Sequence, residues 1–135
     1  MFASFRGRSA VGTGRDAVYA AITTNVTGQV HVFRAEGAGW KDQVLPLPAK
    51  GSADIVSTNE FGPEALFSFQ NYLTPATLYL DAGDDKPTAI KQAPARFDAS
   101  GLVTEQFEAT SKDGAKIPID FSVTLKPLPR PLIAC

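Results

Sequence analysis

The feature of this sequence that most constrains its fold is a segment that occurs nearly twice. Asp16–Ala21 resembles Glu64–Phe69, and Val30–Val32 resembles Leu78–Leu80, both at an offset of 48 residues. Each matching run is short and rich in the residues that favour β-strands. Strand-like units repeated at this period are the sequence signature of propeller blades and of other stacked β structures.

A third strand-like run closes each copy and ends at a proline, Pro48 in the first copy and Pro94 in the second. The offset there has fallen to 46 residues, as a difference in loop length would produce. The repeat therefore predicts two propeller-type blades within residues 11–95, the first over 11–48 and the second over 52–94.

Periodicity along the rest of the chain predicts an all-β protein. No window carries the sustained apolar stripe of an amphipathic helix, so we expect a turn or two of helix at most. Gly, Pro, Asn and Asp separate the short runs that are rich in Val, Ile, Phe, Tyr and Thr. These predicted strands are Ala17–Ile22, Gln29–Arg34, Ala53–Ser57, Ala65–Gln70, Thr77–Asp81, Val103–Ala109 and Lys116–Val123.

Composition limits the possible partners and compartments. A formal net charge of −1 and a pI near 5.7 give no basic surface for nucleic acid or an anionic membrane. No run is long and apolar enough to span a bilayer, and no apolar signal-peptide core follows Arg6 and Arg8. The only cysteine is Cys135, which excludes an intrachain disulfide and a cysteine metal cluster. We expect a cytoplasmic protein without cofactor or metal.

The pattern changes after residues 96–100, where we predict a domain boundary. Ile117, Ile119 and later apolar residues alternate with polar ones, as in a sheet with one solvated side. Pro118 cannot donate a ladder hydrogen bond, which predicts an edge strand or a bulge. Asp113-Gly114 predicts a two-residue turn, so residues 96–125 are expected to begin with a β-hairpin.

Neither end of the chain continues these patterns, and we predict disordered tails over residues 1–10 and 126–135. The second tail alternates prolines with other residues and is expected to be polyproline-like. It is either a partner motif or the product of a truncated or frameshifted coding region.

Several motifs together resemble one enzyme family. Asn71–Tyr79 contains Thr-Pro-Ala-Thr-Leu-Tyr, Phe97-Asp98 follows, and Ser111–Pro118 reads Ser-Lys-Asp-Gly-Ala-Lys-Ile-Pro after Val103–Gln106. In this order and spacing they resemble the prolyl oligopeptidase family of serine peptidases, from the last propeller blades to the start of the peptidase domain. The resemblance implies that residues 96–125 open an α/β-hydrolase-type domain.

The resemblance also implies an activity, cleavage of short peptides after proline, for which this chain lacks the catalytic residues. The family's hydrolase domain needs a serine on a sharp Gly-rich turn, an acid and a histidine. No serine of the chain lies in such a context, and the only histidine, His31, is expected to pack in a strand like Tyr79. We therefore predict no catalytic, cofactor-binding or metal-binding residue, and a fragment that is inactive alone.

Other candidate sites have simpler structural interpretations. Asp81, Asp84 and Asp85 predict an acidic turn rather than a calcium loop, because the distal ligand is absent. Residues 12–15 predict a turn between blades rather than a phosphate loop, since no helix follows. Glu105 and Glu108 are expected on opposite faces of a strand. Trp40 and Phe33 are expected to pack in the core or between blades unless a pocket surrounds them.

Two functional hypotheses remain open. The chain is either a fragment of a prolyl oligopeptidase-like enzyme or a small β-rich binding module that lacks catalysis. In both cases we expect exposed strand edges to mediate self-association or contact with a missing peptidase domain.

Overall fold

The computed structural model describes residues 6–125, with side chains over residues 10–119. This part of the chain forms ten β-strands and no helix, and hence no helix that could cross a membrane. The strands are β1 (Arg6–Thr13), β2 (Val18–Thr24), β3 (Thr27–Glu36), β4 (Gly39–Val44), β5 (Ser52–Thr58), β6 (Ala65–Gln70), β7 (Thr77–Asp81), β8 (Thr88–Gln92), β9 (Leu102–Thr110) and β10 (Lys116–Leu125).

The strands form two four-stranded antiparallel sheets and one hairpin. The first sheet has the order β1-β2-β3-β4 and the second β5-β6-β7-β8, so each strand pairs with its neighbour in sequence. Within residues 6–125, β9 and β10 pair only with each other. The predicted fold class, two blade-type antiparallel sheets followed by a hairpin, is confirmed.

The predicted N-terminal tail was wrong for residues 6–10. Strand β1 begins at Arg6, and its backbone pairs with β2 as far as Thr13, with a register shift between Arg8 and Ala10. The residues of β1 are small or charged, so the segment carries little strand signal of its own. Its position follows from hydrogen bonding to β2. The tails predicted over residues 1–5 and 126–135 lie outside the described residues.

The second sheet stacks on the first with its strands pointing the same way. At the start of β3 and β5, the amide of Gly28 donates a hydrogen bond to the carbonyl oxygen of Gly51, 2.7 Å away. At the other end, Gly12 of β1 lies so close to Thr58 of β5 that a side chain at position 12 would meet the Thr58 methyl group. Strands β1, β3 and β5 are therefore parallel in space.

The core lies between the two sheets. The rings of Tyr19 in β2 and Phe67 in β6 are 5.4 Å apart, so β2 faces its counterpart in the second sheet. Burial of both rings supplies a large share of the hydrophobic stabilisation of the stack. The buried cluster consists of Ala17, Tyr19, Val30, Val32 and Leu45 from the first sheet and its loop, with Ala53, Ala65, Phe67 and Phe69 from the second.

This stacking corrects the predicted register of the repeat at one strand. Suppose that two equivalent sheets stack in the same orientation. The face by which the first sheet contacts the second is then equivalent to the face of the second sheet that points away from the first. Tyr19 and Phe67, which face each other, therefore cannot be equivalent. Ala20 pairs with His31 as Phe67 pairs with Tyr79. The match of His31 with Tyr79, at an offset of 48 residues, is thus right. Strands β2 and β6 instead correspond at an offset that is one residue shorter, so that Ala20 rather than Tyr19 corresponds to Phe67.

The turn between β2 and β3 consists of two residues, and neither is a glycine. Asn25 and Val26 connect β2 to β3, and both have a positive φ, of 48° and 59°. A β-branched residue in this region is strained, and Val26 is half exposed, so little packing compensates. Glycine, the residue that signals such turns in a sequence, does not occupy either position.

The predicted hairpin in the last segment is confirmed, but its loop is longer than two residues. Residues 111–115 connect the strands, closed by hydrogen bonds between Ser111 and Ala115 and between Gly114 and Ser111. Only Gly114 has a positive φ, of 83°. Pro118 lies opposite Glu108 in a two-stranded sheet, where both strands are edges, as predicted.

Candidate functional site

A cluster of charged side chains joins the two sheets at one end of their interface. Arg34, near the end of β3, donates hydrogen bonds from Nη2 to Asp85 Oδ1 at 2.7 Å and from Nε to Asp85 Oδ2 at 3.3 Å. Asp85 lies in the β7–β8 loop and has a φ of 58°. A two-pronged guanidinium–carboxylate pair fixes geometry as well as charge. It therefore ties β3 of the first sheet to a loop of the second.

Asp81, the last residue of β7, is fully buried beside this pair. Its Oδ1 accepts hydrogen bonds from the amides of Gly83 and Asp85, whereas Oδ2 has no hydrogen-bond partner among the described residues. Burial raises the pKa of Asp81, and the neighbouring carboxylates of Asp85 and Asp84 raise it further. The predicted acidic turn is confirmed, since Asp81 accepts hydrogen bonds within the turn and Asp85 forms the ion pair with Arg34.

Tyr19 completes the cluster from β2. Burial raises the pKa of the Tyr19 phenol, and the negative charge of Asp81 adds to the effect, while Arg34 opposes it. The arrangement is suited to holding two sheets together by one charged contact.

Replacing Asp81 by asparagine is expected to stabilise the fold at neutral pH. The substitution keeps the oxygen that accepts from Gly83 and Asp85 and removes a buried charge, and its amide could donate to Asp84. We expect a gain in the free energy of unfolding of about 1 kcal/mol at pH 7, the scale of one poorly paired buried polar atom. Urea unfolding of both proteins would measure it.

The pH dependence gives a second measurement for the same variant. The folded-state pKa of Asp81 lies above its ordinary value of 3.8, so the wild-type fold takes up a proton as the pH falls through that pKa. This contribution stabilises the wild type at low pH and is complete below pH 3.8. The advantage of Asp81→Asn should therefore shrink between about pH 7 and pH 4, and a constant difference would contradict it.

His31 lies on the opposite side of the first sheet from this cluster. Its Nδ1 is 2.9 Å from Asp42 Oδ1, and its ring stacks on Phe33 with centroids 6.2 Å apart. The imidazole is half-buried in β3, as expected for a strand residue. The hydrogen-bond partner of its Nδ1 is thus a carboxylate of the neighbouring strand β4.

The glycine-containing segment before β2 is a turn, but not one between sheets. Gly12 belongs to β1, and the amide of Gly14 donates to the carbonyl of Ala17 at 2.8 Å, so the turn joins β1 to β2. The prediction of a turn between blades was wrong, because β1 carries no clear strand signal. The turn nevertheless contacts the second sheet, since the amide of Arg15 donates to the carbonyl of Asn59 at 3.1 Å.

Two other candidates are placed by the register of their strands. Glu105 and Glu108 lie three residues apart in β9, opposite Phe121 and Pro118, and hence on opposite faces, as predicted. Trp40 does not pack in the core: it is 65% exposed in β4 and borders an open hollow of about 440 Å³. Its position on an outer strand, rather than its size, decides its exposure.

An open groove beside the second sheet has no signal in the sequence. It has a volume of about 540 Å³ and lies between residues 70–76, which join β6 to β7, and residues 93–99, which lead to the hairpin. The exposed rings of Tyr72 and Phe97 flank it. Over residues 10–119, no three His, Cys, Asp or Glu side chains group as metal ligands.

The hairpin approaches the same end of the sheets through polar contacts. Lys50 Nζ donates to the carbonyl oxygen of Thr104 at 2.9 Å, and Gln106 Nε2 donates to the carbonyl oxygen of Asn25 at 2.8 Å. Both contacts are exposed, and they join β9 to the β2–β3 turn and to the segment between β4 and β5.

Comparison with known proteins identifies a family. No family model matches the chain. It is 38% identical over 98 residues to an uncharacterized peptidase of Sinorhizobium fredii, a match that covers 72% of this chain and 14% of the relative. It is also 38% identical over 109 residues to an uncharacterized peptidase of Rickettsia prowazekii, covering 80% of this chain and 15% of the relative.

A solved structure agrees with these relatives in both sequence and fold. A post-proline cleaving enzyme from Rickettsia typhi superposes with a TM-score of 0.68 at 36% identity, covering 84% of this chain and 16% of that enzyme. The chain thus corresponds to one section of a prolyl oligopeptidase-family peptidase. It spans about one seventh of the length of the curated relatives that it matches.

Proposed function

We propose that this chain is a non-catalytic β-propeller section of a prolyl oligopeptidase-family peptidase, together with the first hairpin of the peptidase domain. The observation that carries the proposal is that 84% of this chain superposes on 16% of a post-proline cleaving enzyme, at 36% sequence identity. In an intact peptidase, such a section would help to control which peptides reach the active site.

The proposal includes the absence of peptidase activity in this chain by itself. Its only histidine binds Asp42 and stacks on Phe33, and no serine among the described side chains bonds to it. Without a base beside a nucleophile, acyl transfer from a peptide has no proton acceptor. The proposal also includes a cytoplasmic location, since one cysteine cannot form an intrachain disulfide.

A chromogenic peptide with proline before the leaving group would test this directly. We expect the purified chain to release chromophore no faster than a buffer blank. His31→Ala provides the matched control, because it removes the only imidazole and leaves any contaminating peptidase unaffected. Turnover by the wild type that disappears in His31→Ala would overturn the proposal, whereas equal rates in both proteins agree with it.

A binding module without catalysis is the second candidate, favoured by the edges of the sheets. Every residue of β4 and of β8 is exposed, so the last strand of each sheet offers unpaired backbone groups to another strand. A partner strand added at these edges is the kind of contact that this candidate requires.

A further inference from the structure

The surface of the first sheet that faces away from the second carries a group of apolar side chains around the pair of His31 and Asp42. We call it face A and define it by the register of β1–β4. Val11, Trp40 and Val44 on this face are all substantially exposed. The apolar and aromatic members of face A are Val11, Val18, Ala20, Ile22, His31, Phe33, Ala35, Trp40 and Val44.

The second sheet also has an outer surface, which we call face B. Its apolar members are Leu66, Leu78 and Leu80, which the register places together and none of which belongs to the buried cluster. Exposed Val56 and Ile90 lie at the register shifts of β5 and β8 beside them. Faces A and B therefore each present a group of apolar side chains, on opposite sides of one stack.

The interface already present in the chain shows how these two faces are related. Since the sheets stack in the same order and direction, Leu66, Leu78 and Leu80 of face B hold the positions that Tyr19, Val30 and Val32 hold in the first sheet. Those three residues pack on the second sheet.

The residues of face A correspond in the same way to the inner face of the second sheet. Ala20, His31 and Phe33 hold the positions of Phe67, Tyr79 and Asp81, the side that the second sheet presents to the first. At the position of buried Asp81, face A carries Phe33, and the carboxylate opposite it, Asp42, is already paired with His31. Repeated β units bury their apolar faces by stacking on neighbours, which gives both faces a natural occupant.

We propose that a second copy of this chain stacks head to tail, its face A covering face B of the first copy. The contact continues the internal sheet-to-sheet interface from one molecule to the next. It uses the faces of the sheets, in contrast to the strand edges expected from the sequence. Such a heterologous contact leaves one free face at each end, so assembly continues beyond a dimer unless the rotation closes a ring.

Light scattering after size exclusion, at several concentrations of the full chain, would show whether oligomers larger than a dimer form. Val44→Glu places a charge on face A, and Leu80→Glu places one on face B. Each should weaken self-association at least about tenfold, which corresponds to about 1.4 kcal/mol. Ile117→Glu, at a half-exposed strand position in the hairpin and outside both faces, is the control and should assemble like the wild type.

Mixing the two variants separates stacking from other modes of association. Val44→Glu retains face B, and Leu80→Glu retains face A, so together they should form a one-to-one dimer that neither forms alone. This result also shows that both variants are folded. A wild type that stays monomeric at every concentration, or variants that do not combine, would overturn the stacking proposal. Neither result would affect the peptidase assay, which tests the proposed function separately.

Discussion

Truncation of Phe67 to alanine is expected to destabilise the fold by about 4 kcal/mol. Phe67 is fully buried, lies against Tyr19, and belongs to the single core between the two sheets. Its removal costs the transfer free energy of the ring and leaves a cavity that close-packed strands cannot collapse to fill. Phe61, which is 89% exposed, provides the control, since Phe61→Ala should change stability by about 0.5 kcal/mol or less.

Urea unfolding with two probes would test both the size of this effect and its extent. Trp40, the only tryptophan, lies in the first sheet, whereas Phe67 lies in the second. Because one core joins the sheets, Trp40 fluorescence and far-ultraviolet circular dichroism should shift to the same lower midpoint. A midpoint for Trp40 that does not move in Phe67→Ala would contradict a shared core. The measurement belongs at a concentration where the wild type is monomeric.

The second large effect is expected from Arg34→Met, which removes the cation between the sheets. The substitution keeps most of the apolar stem but leaves Asp85 and buried Asp81 facing each other without a positive charge. Breaking a fully buried pair costs about 3–5 kcal/mol, and since Arg34 and Asp85 are 28% and 17% exposed, we expect about 2 kcal/mol. The free energy of unfolding at pH 7 would measure it.

Arg15→Met is the matched control for this prediction. Arg15 and Asp16 are also 2.7 Å apart, but both are more than half exposed, and such pairs contribute about 0.5 kcal/mol. Addition of Asp85→Asn to Arg34→Met should recover part of the loss, because one of the two uncompensated carboxylates is removed. Equal losses in Arg34→Met and Arg15→Met would show that the inter-sheet pair is no stronger than a surface pair.

Most strands could be predicted from the sequence because their residues favour β structure wherever they lie. The runs at β6 and β7 were predicted with their observed bounds, since Gly, Pro and Asn interrupt the chain on either side. Strand β1 was missed because its residues are small or charged and its place depends on pairing with β2.

The candidate site likewise has one part with a local signal in the sequence and another part without one. The acidic turn at Asp81 was predicted from residues close together in sequence, whereas its pairing with Arg34 links positions 51 residues apart and has no local signal. The groove beside Tyr72 and Phe97 is likewise formed by two separate segments. The exposure of Trp40 depends on which strand lies at the edge of a sheet.

The sequence by itself determined the all-β class, the two-fold repeat, the resemblance to one peptidase family and the match of His31 with Tyr79. These follow from residue preferences and spacing, which are properties of the chain alone. Only the tertiary structure decided which face of each sheet is buried, because Ala17–Ile22 is apolar on both sides and fits either orientation. Contact between the sheets selects one orientation, and it thereby leaves faces A and B exposed.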